Sequence, residues 1–134
     1  MAKLPHILIA DNDEDDRFLL KTAFEKVGHS HNIHLVANGM QAFNYLDSFQ
    51  DDHHFPSLIV LDLNMPLPNG MEILSRLKKH NRYKKIPVIM FTTSAAESDK
   101  SKCLQIGAAD FLIKPSAFSQ MVSTARFLAE FNVY

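Results

Sequence analysis

The chain has 134 residues, 46% apolar and 22% charged, with a formal net charge of −1. That size suits one domain with a sizeable core, and near-neutrality excludes a bulk basic field for nucleic acid or an anionic membrane. The single cysteine, Cys103, excludes an internal disulfide; with no apolar run near the roughly 20 residues of a membrane span and no signal-peptide core, a cytoplasmic location is expected.

Taken in order, Ile7–Ala10 is a short apolar run after Pro5 and reads as a buried strand, β1. The acidic run Asp11-Asn12-Asp13-Glu14-Asp15-Asp16 follows. Its later members suit the first turn of a helix, α1, where negative charge meets the positive end of the dipole. Leu20, Ala23, Phe24 and Val27 then fall at helical spacing, and Gly28 is a natural stop. Residues 33–37 read as β2. Asn38-Gly39 is a turn, and residues 40–49 form α2, with Ala42, Phe43 and Leu46 on one side.

After a polar connection comes the stretch around which the chain is organised. Leu58-Ile59-Val60-Leu61 runs unbroken into Asp62, and a loop with Pro66 and Pro68 closes at Gly70. An unbroken apolar run with β-branched residues reads as a strand buried on both faces, β3. A carboxylate at its end is costly unless metal, lysine or hydrogen-bond donors surround it. Met71, Ile73, Leu74 and Leu77 mark α3, which ends in a basic stretch. Residues 87–91 read as β4, closed by Thr92, Thr93 and Ser94. Residues 95–106 are a sparsely apolar α4 ended by Gly107. Residues 111–113 read as β5, followed by Lys114-Pro115. Residues 117–131 form α5, with Phe118, Met121, Val122, Ala125 and Leu128 on one stripe.

Strand and helix alternate five times. This predicts an α/β, flavodoxin-like (βα)5 fold, with a five-stranded parallel sheet in the order 2-1-3-4-5 and helices on both faces. Ligands in such sheets bind beyond the carboxyl ends of the strands, where strand order reverses. The residues there are Asp11, Asn12 and Asp13 after β1, Asp62 after β3, Thr92 after β4 and Lys114 after β5. Carboxylates, a hydroxyl and an ammonium on one rim suit phosphoryl transfer to a carboxylate. Asp62 would be the nucleophile, Mg²⁺ the neutralising cation, and Lys114 a point charge for a phosphoryl oxygen.

With these residues in place, the chain resembles a receiver domain of a two-component response regulator over nearly its whole length. The matching stretches are the acidic run after Ile-Leu-Ile-Ala, Leu-Asp-Leu-Asn-Met-Pro, Pro-Val-Ile-Met-Phe-Thr and Gly-Ala-Ala-Asp-Phe-Leu-Ile-Lys-Pro. The finer likeness is to single-domain regulators that partner bacterial phytochromes. The resemblance implies that Asp62 is phosphorylated by a sensor histidine kinase or a phosphotransfer protein. Asp11, Asn12, Asp62 and the backbone carbonyl of Asn64 would hold Mg²⁺. Thr92 would be the switch hydroxyl, Phe111 the switch aromatic and Lys114 the phosphoryl-binding lysine, with a cis Lys114–Pro115 bond. One position departs from the pattern: the second acid after β1 is Asn12, and Asp13 would compensate only if the loop shifts.

Other signals are weaker. The seven histidines, including the pairs His29/His31 and His53/His54, lack zinc-ligand spacing with cysteine. The basic residues Lys78, Lys79, His80, Arg82, Lys84 and Lys85 read as a solvated helix end rather than a nucleic-acid contact. Phe127, Phe131, Val133 and Tyr134 either cap the core or belong to a partner or homodimer surface with α4 and β5.

The expectation is therefore a single receiver domain over residues 1–134, with no output domain and output through an unknown downstream protein. Two other readings are open: a phosphorylation-independent interaction module, favoured by Asn12, and a small phosphohydrolase like the haloacid dehalogenases. The second is weak, because Asn64 stands where those enzymes need a proton-shuttling Asp. A flavin-binding module of the same fold is weaker still, since neither strand-end loop is rich in glycine or Ser/Thr.

Overall fold

The computed structural model describes residues 6–29 and 32–131. His31, Val133 and Tyr134 lie outside that set. Five strands, β1 (Ile7–Ala10), β2 (Ile33–Val36), β3 (Leu58–Leu61), β4 (Val88–Thr92) and β5 (Asp110–Ile113), form one parallel sheet in the order β2-β1-β3-β4-β5. The helices are α1 (Glu14–Lys26), α2 (Gly39–Asp47), α3 (Gly70–Lys79), α4 (Glu97–Ile106) and α5 (Phe118–Phe131). A short 3-10 turn at Asp52–His54 interrupts the polar connection before β3. The expected flavodoxin-like topology is the observed one.

The sheet divides the core into two layers, and the period of two along each strand says which residue joins which. Leu8 and Ala10, Ile59 and Leu61, and Val88 and Met90 pack with residues of α2, α3 and α4. Ile7 and Ile9, Leu58 and Val60, and Ile89 and Phe91 pack with residues of α1 and α5. Every residue of β1, β3 and β4 is buried, which is why their sequences are continuous rather than alternating. The stripe foreseen on α1 is real: Leu20, Ala23 and Phe24 are fully buried. Phe127 and Phe131 part company. Phe131 packs against the α1/α5 layer, whereas Phe127 is 42% exposed.

Local chemistry sets where the helices begin. Asp13 caps α1, its carboxylate accepting from the N–H groups of Asp15 and Asp16. Asn38 caps α2 by accepting from Gln41 N–H. Asn69 and Glu72 form a capping box at α3. The boundary at Gly70 has a steric cause. A Cβ there would lie 2.7 Å from Leu63 Cα and closer still to the Asp62 carbonyl oxygen. Backbone cannot yield as a flexible side chain would, so α3 presses against the strand end that carries Asp62 only because residue 70 has no side chain.

Gly70→Ala is therefore expected to cost about 1–3 kcal/mol by overpacking. Gly28→Ala meets nothing within 4 Å but holds φ +80, so it costs only about 1 kcal/mol. Urea midpoints of the two variants check this; equal losses would mean that the close approach at Gly70 is not what limits the position.

Candidate functional site

The period of two also decides where the polar residues at the strand ends emerge. Asp11 continues the parity of Ile7 and Ile9, Asp62 that of Leu58 and Val60, and Lys114 that of Leu112. All three therefore leave the sheet toward the α1/α5 layer, which holds those strand residues. Parallel pairing puts the ends level: Ala10 registers with Leu61, and Asp62 N–H donates to the Ala10 carbonyl at 3.1 Å. Lys114 N–H donates to the Thr92 carbonyl at 2.7 Å, which anchors the lysine at the rim.

The Lys114 ammonium then lies 2.7 Å from Asp11 Oδ2, 2.7 Å from Asp16 Oδ2 and 2.8 Å from Asp62 Oδ2. The lysine side chain is 5% exposed, with Asp11 at 2%, Asp62 at 4% and Asp16 at 26%. The other oxygens of the two deep carboxylates are oriented by backbone: Asp11 Oδ1 accepts from Asp13 N–H at 3.0 Å, and Asp62 Oδ1 from Asn64 N–H at 3.0 Å. Burial pushes the Asp11 carboxyl above its ordinary range, against the pull of the Lys114 hydrogen bond. For Lys114 burial acts to lower the pKa, but the three carboxylates override it and hold the ammonium above the ordinary lysine value.

The expected residues do not all converge. Asp11, Asp62 and Lys114 do. Thr92 has the parity of Val88 and Met90 and is fully buried. Its Oγ1 accepts from Asn64 Nδ2 at 3.3 Å and from Ser94 N–H at 3.3 Å. Asn64 thus bridges Asp62, through its N–H, and Thr92 and Thr93, through its amide. Asn12 is exposed. Asp13 is exposed as well, its carboxylate engaged as the α1 cap. Phe111 is 7% exposed, its ring already within the layer shared with Met90 and Cys103. The expected cis bond at Lys114–Pro115 is corrected: among the described residues the cis peptide is Leu67–Pro68, so Lys114–Pro115 is trans. A proline bond accepts either isomer at small cost, and with the trans bond the lysine already reaches all three carboxylates.

Asp16 is the site residue that sequence reading missed, because a first-turn acid is explained by the dipole alone. A signal existed. Side chains in a helix tilt toward its N-terminus, so an acid in the first turn of α1 leans back over the end of β1. Arg17, next to it, donates to the Asp11 carbonyl at 2.6 Å. The basic stretch at the end of α3 is exposed at Lys79, Arg82, Lys84 and Lys85, as expected; in addition Lys78 Nζ donates to the Ile86 carbonyl at 2.7 Å and Arg82 to the Phe49 carbonyl at 2.7 Å. Among the described residues no group of three or more His, Cys, Asp or Glu side chains is placed to hold a metal ion together, and no helix is long and apolar enough to cross a membrane.

A parallel sheet carrying an aspartate, a lysine and a buried threonine on its carboxyl rim defines a class of phosphoacceptor module, and the comparisons place the chain within it. Residues 7–126 match the model of the response regulator receiver domain, and the chain belongs to that family. The phosphorylated cyanobacterial phytochrome response regulator RcpA is 27% identical, with a TM-score of 0.84 over 98% of this chain and 95% of its own. The bacteriophytochrome response regulator RtBRR is 32% identical, with a TM-score of 0.76 over 98% of this chain and 80% of its own. FilR2 of Methanothrix harundinacea (strain 6Ac), a probable methanogenesis regulatory protein, is 29% identical over 93% of this chain and 81% of its own. Receiver domains are signalling modules of phosphorelays, served by histidine kinases or phosphotransfer proteins.

Removing the ammonium leaves buried carboxylates unpaired. Lys114→Met is expected to lower stability by about 3 kcal/mol at pH 7. A lysine pKa raised by folding stabilises fully below its unfolded value of 10.5 and less as pH rises through the folded value. The difference between wild type and variant should therefore hold to about pH 10 and shrink above it. Urea unfolding from pH 7 to 11.5 in chelator-treated buffer measures it; a difference that does not shrink would mean that packing of the stem, not the charge, is what Lys114 supplies.

Proposed function

We propose that this receiver accepts a phosphoryl group on Asp62 from the phosphohistidine of a sensor kinase, of phytochrome type, or of a phosphotransfer protein. The carrying observation is the Asp62 carboxylate itself: 4% exposed, one oxygen oriented by Asn64 N–H and the other 2.8 Å from the Lys114 ammonium. An Asp62 oxygen attacks phosphorus as the phosphorus–nitrogen bond of the donor breaks, and the proton that the imidazole needs comes from solvent. The donor set is all hard oxygen, which fits a hard divalent cation. Asp11, Asp62 and the Asn64 backbone carbonyl would hold Mg²⁺, with Asn12 beside them offering no charge. Bound there, Mg²⁺ supplies neutralisation of phosphoryl oxygens.

Lys114 then exchanges carboxylate contacts for a phosphoryl oxygen, and the Thr92 hydroxyl moves toward another. Thr92 is tied to the site through Asn64 and to its own loop through Ser94 N–H, so the step breaks two long hydrogen bonds of a buried hydroxyl. Because Phe111 is already inside, its contribution is to hold the inward state. Output runs through α4, β5 and α5, on which Leu104, Ile113, Phe118 and Phe127 are exposed; the occupant is a downstream protein or a second copy. The phytochrome link rests on the likeness to RcpA and RtBRR. A second reading, an interaction module working without phosphorylation, is favoured by one observation: Asn12 is neutral and exposed, and Asp13 does not replace it.

Incubation with acetyl phosphate, followed by intact mass, separates the two readings. The expected result is one phosphoryl adduct on wild type that requires Mg²⁺ and is absent from Asp62→Asn. An unmodified wild type alongside a modified Asn12→Asp variant would favour the phosphorylation-independent module.

A further inference from the structure

We propose that Asp16 is the second acid of this centre: from the first turn of α1 it supplies the negative charge that Asn12 lacks, matching the site to a divalent cation. This rests on the phosphoacceptor reading of Asp62 and adds a positioning residue to it. Three observations carry it.

The loop after β1 offers no replacement near Asn12. Asp13 accepts two α1 N–H groups with its carboxylate; turning it inward would uncap the helix. Glu14 and Asp15 are exposed. Asp16 alone of this run, beyond Asp11, reaches the centre, at 2.7 Å from the Lys114 ammonium.

The charge tally then changes. Asp11 and Asp62 against Lys114 leave one formal negative charge unmatched. Adding Asp16 leaves two, the charge of one Mg²⁺. The Arg17 guanidinium, the other cation close by, is engaged by the Asp11 carbonyl.

The geometry also sets how Asp16 acts. It is more exposed than the two deep carboxylates, at 26%, so it stands at the mouth of the centre. The three carboxylates are not placed to serve together as direct ligands. Mg²⁺ keeps several waters in sites of this kind, so Asp16 accepts from such a water and competes for Lys114, rather than entering the inner sphere.

The test is a Mn²⁺ titration of the full chain, with free Mn²⁺ read by electron paramagnetic resonance. It compares wild type, Asp16→Asn, Asp16→Ser, Asp62→Asn and the double variant Asn12→Asp/Asp16→Asn. Far-UV circular dichroism confirms that each is folded; the serine form stands in if the asparagine form is not. Loss of an outer carboxylate weakens metal binding about tenfold, so a neutral residue at position 16 should raise Kd by about that factor. Asn12→Asp should restore it, one carboxylate standing in for the other in the charge tally. Wild-type affinity in both neutral variants, or failure of the rescue, overturns the inference while Asp62→Asn still weakens binding. No Mn²⁺ binding by wild type overturns the phosphoacceptor reading of the whole centre, and this inference with it.

Discussion

The Lys114 ammonium is the interaction on which the rest of the site depends. It is nearly buried, and its neighbours are three carboxylates, from the ends of β1 and β3 and from the first turn of α1. Burial alone would drive the Asp11 carboxyl and the Lys114 ammonium toward their neutral forms. The carboxylates hold the ammonium charged, and the geometry that allows it joins the β1–α1 segment to β3 and to Lys114, which are far apart in sequence. The arrangement is asymmetric: carboxylates outnumber the ammonium, so the centre is short of positive charge. A buried ion cluster of this kind is weak evidence of stability. In the proposed function, that shortage of positive charge is what a cation and a phosphoryl group would answer.

The sheet places those charges by a simple rule. Side chains alternate faces, and parallel neighbours in matched register end level with one another. Asp11, Asp62 and Lys114 share a parity and so emerge on the α1/α5 side, while Thr92 has the opposite parity and stays with the α3/α4 layer. Asp62 and Lys114 are thereby separated from the Thr92 hydroxyl, with Asn64 bridging the two sides. A charge added to Asp62 has a short path to Thr92 and from there to β5 and α4. Lys114 N–H on the Thr92 carbonyl ties the lysine strand to the same point.

Close backbone approach keeps this rim rigid. Gly70 lets α3 start against the Asp62–Leu63 backbone, and the Asn69–Glu72 capping box fixes the direction of its first turn. At the opposite end of α3, the half-buried Lys78 and the exposed Arg82 donate to carbonyls of the chain. A basic run that reads as a solvated helix end is therefore partly a set of struts. Long cationic side chains bury their stems and satisfy distant carbonyls, which sequence spacing does not display.

The sequence by itself determined the strand runs, the helical stripes, the parallel order and the presence of Asp11, Asp62, Thr92 and Lys114 at strand ends, because apolar periodicity and strand-to-helix alternation are local. The part played by Asp16 was decided only by the tertiary structure. Whether a first-turn acid merely meets the helix dipole or reaches a lysine 98 residues away depends on how α1 is docked. The same holds for Asp13, which the helix cap claims, for Phe111, whose inward ring is a matter of packing, and for the proline isomer after Lys114. Each is a choice between two locally acceptable states. Such choices are settled by long-range contacts, which local spacing does not encode.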